Sequence, residues 1–202
     1  MKFGFEREFF VTKDDQYVLA DTLPHDACGY LAEVRGEPHN DPAKALALYN
    51  IEEGNIKRRA EDQGLRLVLL DWIKLPKSIK NIALRRFGKN PSINEGSMYG
   101  KFWSEGIQRA GLHVHFSNEI EVNIGRDIRK IPGILDLPKF IFGLDKIFAK
   151  EIKEAKRVPG LYEMKPHGFE YRSLPASVDM KKVANALVVL EHNRYSTELV
   201  IA

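Results

Sequence analysis

The sequence predicts a single α+β domain of 202 residues. Short segments of period two are interleaved with longer segments of helical period, and turn-forming residues separate them. A hydrophobic content of 44% is enough to fill one sizeable core.

The elements follow in order. Lys2 to Val11 sets Phe3 and Phe5 against Glu6 and Glu8, which predicts a strand with unlike faces and both carboxylates on one of them. Tyr30 to Arg35 reads as a second strand, with Leu31, Glu33 and Arg35 on one side and Ala32 and Val34 on the other. After a turn over Gly36 to Pro42, Leu46, Tyr49, Ile56 and Ala60 recur at helical spacing, predicting a helix over Ala43 to Asp62 that stops at Gly64. Leu65 to Leu75 reads as one buried strand closed by Pro76, and Lys77 to Phe87 as a short basic helix ended by Gly88. Gly88 to Gly100 reads as a long loop. Leu112 to Ser117 alternates again, placing His113 and His115 on one face. Pro138 to Arg157 reads as one amphipathic helix broken by Pro159-Gly160, Phe169 to Leu174 as the last strand, and a helix capped by Ser177 or Asp179 runs to about Arg194.

Composition removes several classes of function. The longest apolar runs are far shorter than the roughly 20 residues a membrane helix needs, so no membrane partner is expected. The opening residues lack the basic start and apolar run of a signal peptide, which predicts a cytoplasmic protein. Cys28 is the only cysteine, so there is no internal disulfide and no multi-thiolate zinc site. A net charge of +3, with both signs interspersed, does not make nucleic acid an expected partner.

The chemistry sits on the strands. Glu6 and Glu8, at i and i+2, point the same way roughly 7 Å apart, a spacing that loads neighbouring cations or solvates a strand face. His113-Val114-His115 presents two imidazoles on one side, either metal ligands or a structural pair. Glu170-Tyr171-Arg172 adds a carboxylate for a hard cation and a guanidinium for a phosphate, or an intrastrand ion pair.

Four stretches, in this order, resemble the phage-type (phiEco32-like) carboxylate-amine ligases of the glutamine synthetase and glutamate-cysteine ligase superfamily. They are Phe5-Glu6-Arg7-Glu8-Phe9-Phe10, Leu31-Ala32-Glu33-Val34-Arg35-Gly36 with Asp26 ahead of it, Ala110-Gly111-Leu112-His113-Val114-His115, and Lys165 to Pro175. The resemblance implies a curved antiparallel sheet flanked by helices, like the catalytic domain of glutamine synthetase. It implies Mg2+ or Mn2+ bound by Glu6, Glu8, Glu33, His113 and Glu170, with ATP as nucleotide. Arg157 and Arg172 take the positions of phosphate-contacting arginines, Lys165 is a third catalytic cation, and His115 contacts nucleotide or substrate. The substrates implied are a small-molecule or peptide carboxylate and an amine, in a host cytoplasm if the chain is phage-encoded. Completion of the site by a second copy of the chain, as a homo-oligomer, stays open. So does a metal-dependent hydrolase built on the same histidines and carboxylates. A nucleic-acid module using the basic stretch Lys74 to Lys89 ranks third.

Overall fold

In a computed structural model of the chain, the residues described are 1–26, 29–74, 76–87, 96–97, 107–124, 127–132 and 136–192. Among the described residues, twelve strands and five helices run in the order β1 (Lys2–Lys13), β2 (Gln16–Val18), β3 (Leu31–Arg35), α1 (Pro42–Glu61), β4 (Arg66–Val68), β5 (Trp72–Ile73), α2 (Lys77–Phe87), β6 (Gly96–Ser97), β7 (Gln108–Arg109), β8 (Gly111–Ser117), β9 (Glu119–Ile124), β10 (Asp127–Pro132), α3 (Leu137–Ile147), α4 (Ala149–Glu154), β11 (Leu161–Lys165), β12 (Gly168–Pro175) and α5 (Met180–His192). The class is α+β, as the sequence predicts. No helix among the described residues is long and apolar enough to cross a membrane.

The main sheet has the order β2-β1-β8-β12-β11-β6, with β3 and β4 also paired to β1, and every pairing is antiparallel. β1 is its axis. Lys2 to Arg7 pair with β8 and Glu6 to Phe10 pair with β3, so Glu6 faces His113 on one neighbour and Arg35 on the other. Lys13 pairs with Gln16 across the two-residue turn Asp14-Asp15, both at positive φ (50° and 60°), the backbone of a type I′ hairpin.

Alternation gives the sheet two unlike faces. Phe3, Phe5 and Phe9 of β1, Leu112, Val114 and Phe116 of β8, and Phe169 and Tyr171 of β12 point into a core closed by α1, α3 and α5. Phe116 stacks on Phe169 with ring centroids 4.4 Å apart and lies 5.0 Å from Phe140 of α3. Each such ring taken out of water contributes roughly 1.5–3 kcal/mol. Helix α1 starts where Asp41 accepts from the Ala43 and Lys44 amides with Pro42 in its first turn, and buries Ala45, Leu46, Tyr49, Ile56 and Ala60.

Two predicted elements are divided. Leu65 to Leu75 is not one buried strand: β4 joins the main sheet, β5 pairs with β7, and Leu69 and Leu70 between them are about 40% exposed. Pro138 to Arg157 is two helices, because Phe148 leaves helical geometry (φ −110°, ψ 19°) to bury its ring. Asp179 accepts from the Lys181 amide at the start of α5, whereas Ser177 is held by Asp71. Cys28 and, apart from residues 96–97, the predicted Gly88 to Gly100 loop lie outside the described residues.

Gly36 fixes how closely α1 approaches β3, since a Cβ at residue 36 would lie 2.6 Å from the Tyr49 Cα and 2.8 Å from its backbone nitrogen. Backbone cannot yield as a side-chain tip can. Gly36→Ala is expected to lower unfolding free energy by about 2 kcal/mol in a urea titration; a change within experimental error would show that α1 is not held that closely.

Candidate metal centre

The second face of the main sheet carries the strand-borne polar side chains the sequence singles out, joined by Arg35 and by Glu163, which the sequence does not single out, gathered into one row. From edge to edge these are Glu33 and Arg35 on β3, Glu6 and Glu8 on β1, His113 and His115 on β8, Glu170 and Arg172 on β12, and Glu163 and Lys165 on β11. Register makes Glu6 the direct neighbour of His113, and Glu170 that of His115. At the far end of β1 the row stops against a second apolar cluster, in which Phe10, Leu31 and Ile73 pack with Ile79 and Ile82 of α2.

His113 is the hub. Its Nδ1 lies 3.0 Å from Glu6 Oε1 and 2.8 Å from Glu170 Oε1, and its Nε2 lies 3.7 Å from Glu8 Oε2. His115 Nε2 is 3.2 Å from Glu6 Oε2, whose other partner is Arg35 Nε at 2.6 Å; the Arg35 guanidinium also pairs with Glu33. Glu170 accepts from Lys165 Nζ and Arg172 at 2.9 Å each, and both cations also reach Glu163. The Gly111 amide donates to Glu8 at 2.6 Å.

The β8–β12 register shifts by one residue between Tyr171 and Leu174, a bulge opposite His113. Arg157 donates to the carbonyls of Arg172 and Ser173 there, and Leu161 N donates to Ser173 Oγ at 2.9 Å. Its guanidinium is thereby fixed above Gly111, where a Cβ would meet Arg157 and His113 Nε2 at 2.7–2.9 Å. Arg157 therefore clamps the bulge and borders the site at once.

Burial and crowding set the protonation states. Burial would raise Glu6, but hydrogen bonds from His113 and His115 and the charges of His113 and Arg35 outweigh it and hold the carboxyl well below its ordinary range. Glu170 is depressed likewise, burial being outweighed by His113, Arg172 and His115. Glu8 is raised because burial dominates the opposing cations. Glu33 is pushed up to about 7 by burial and by Glu6, against Arg35. Burial and Arg172 act to lower His113, yet Glu8, Glu170 and Glu6 lift it to about 9.

The carboxylate and imidazole donors form a group that could hold a metal ion. The ligand atoms of Glu6, His115 and Glu170 all lie within 4.8 Å of one another. His113 and His115 thus border the same two carboxylates. The sequence places Arg35 on this face without giving it a role; its signal is its position two residues after Glu33.

These shifts have a sign for stability. His113, raised from 6.5 to about 9, contributes stability that is complete below 6.5 and lost as pH rises through 9. Glu33, raised from 4.5 to about 7, favours the fold below 4.5 and loses that contribution as pH rises through 7. The thermal midpoint in chelator should therefore fall from about pH 6 to about pH 9, and saturating Mg2+ or Mn2+ should flatten the fall by replacing the protons. Parallel curves with and without metal would contradict a cation at this cluster.

No protein-family model matches the chain, and no curated protein matches it.

Proposed function

We propose that this chain is an ATP- and divalent-cation-dependent carboxylate-amine ligase whose antiparallel sheet serves as a glutamine synthetase-like catalytic sheet. The observation that carries the proposal is the single row of buried carboxylates with the buried His113 and the half-buried His115, drawn from β1, β3, β8 and β12 and bordered by Arg157, Arg172 and Lys165. Carboxylates without such cations suit a metal alone, and the cations suit a phosphate.

A carboxylate does not condense with an amine at neutral pH, so it is first activated. A carboxylate oxygen forms a bond to the γ-phosphorus of ATP as the bridging bond to ADP breaks, giving an acyl phosphate. The amine reacts as the free base, an ammonium first giving up a proton to water; its nitrogen then bonds to the acyl carbon, the carbon–oxygen bond to phosphate breaks, and the second proton leaving the nitrogen passes to the departing phosphate. Glu6, Glu8, Glu33, His113 and Glu170 would hold Mg2+ or Mn2+, which neutralises triphosphate charge. Lys165 and Arg172, paired to Glu170 in this structure, would meet the phosphoryl oxygens, and Arg157 would meet the same charge from its fixed position. His115 lines the same space and contacts nucleotide or substrate.

A second reading is favoured by the Glu6-His115-Glu170 group, whose mixed nitrogen and oxygen donors also suit zinc or manganese and water activation for ester or phosphodiester hydrolysis. Nucleotide dependence separates the two.

Phosphate release from ATP and Mg2+ should appear in equal amount with ADP only when a carboxylate and an amine are both supplied, from panels of amino acids and small peptides. Glu170→Ala should lower that rate by roughly a hundredfold or more. Metal-dependent cleavage of an ester or phosphodiester, with no ATP turnover under any pairing, would replace the ligase with the hydrolase.

A further inference from the structure

A cavity of about 320 Å³ lies at the β3 edge of the polar row, lined by Pro24, His25, Glu33, Arg35, Glu52 and Ile56. Its walls are built rather than incidental. The Pro24 carbonyl accepts from the Glu33 amide at 2.9 Å, and His25 Nδ1 lies 2.6 Å from the Asp26 carbonyl oxygen. Arg59 of α1 donates to the Thr22 carbonyl at 3.1 Å, and Gly36 lets α1 lie against the end of β3.

The volume is at the small end of ligand pockets, which suits a single metabolite rather than a peptide or a nucleotide. Glu33 and Glu52 would repel a polyanion, and Arg35 would repel a simple cation. Both signs in one small space match a ligand that itself carries both. Arg35 is 65% exposed and pairs with Glu6 and Glu33, two of the candidate cation ligands. A divalent cation taking those carboxylates releases the guanidinium, whose planar fork suits a carboxylate.

We infer that this cavity is the amine subsite of the ligase, and that its ligand is a free α-amino acid with its ammonium beside Glu52 and its carboxylate on Arg35. The inference rests on the ligase reading. Because Glu33 and Arg35 belong both to the cavity and to the polar row, an amine held here borders the place where the acyl phosphate forms.

The test is a calorimetric titration of the full chain, loaded with Mg2+ and a non-hydrolysable ATP analogue, with glycine, alanine, glutamate and lysine, each also as its N-acetyl and amide forms. At least one free amino acid should bind, its two blocked forms about tenfold or more weakly. Glu52→Gln should weaken that binding about tenfold, and Glu52→Lys should abolish it, with affinity for Mg2+ and the analogue unchanged. Equal binding of free and blocked forms, indifference to Glu52, or no amino-acid binding beside a bound analogue would overturn the subsite. Failure of the analogue itself to bind would instead sink the ligase reading, and the same titration with Mg2+ alone then decides the cavity on its own.

Discussion

Carboxylates withdrawn from water beside one another must either take up protons or be accompanied by positive charge. Glu6, Glu8, Glu33 and Glu170 are each less than 10% exposed, within one row across four adjacent strands. In this structure the compensation comes from His113 between Glu6 and Glu170, from Arg35 on Glu6 and Glu33, and from Lys165 and Arg172 on Glu170. The polar face therefore holds its carboxylates against imidazole, guanidinium and ammonium groups rather than against water.

The sheet makes that arrangement affordable. Its apolar face buries the phenylalanines of β1, β8 and β12 against α1, α3 and α5, so the fold is anchored on one side while the other carries crowded charge. One side chain breaks the division: Arg7 points to the core face, where its guanidinium donates to the Val178 carbonyl at 2.8 Å and ties β1 to the start of α5. Tyr171 plays a similar part on β12, donating to Asp145 of α3 at 2.6 Å. The strands that supply Glu6, Glu8 and Glu170 are therefore fixed from behind by hydrogen bonds as well as by packing.

Much of the face was legible because strand alternation is local. Glu6 with Glu8, His113 with His115 and Glu170 with Arg172 each share a face by spacing alone, and the structure brings all three pairs together with Glu33. What spacing could not supply is register. The bulge at Arg172 and Ser173, the clamp by Arg157 and the contact of Lys165 with Glu170 depend on which strands pair and where they slip. Arg35 was visible as a neighbour of Glu33, but its bond to Glu6 requires β1 beside β3. Glu52 and His25 reach the cavity from a helix and from an isolated bridge to Ala32, neither of which carries a motif. The split of Pro138 to Arg157 was hidden because Phe148 satisfies helical periodicity while its backbone does not. The β1–β2 hairpin was missed because its turn is Asp14-Asp15, without the usual glycine.

The central claim is that this row of side chains binds divalent cations, and anomalous X-ray diffraction from crystals soaked in Mn2+ addresses it most directly. The account predicts an anomalous peak about 2.1–2.3 Å from carboxylate oxygens of Glu6 and Glu170 and from an imidazole nitrogen of His113 or His115, with Arg35 turned away from Glu6. Full-strength Mn2+ with no peak on this face, and the Arg35–Glu6 and His113–Glu170 pairs intact, would contradict it.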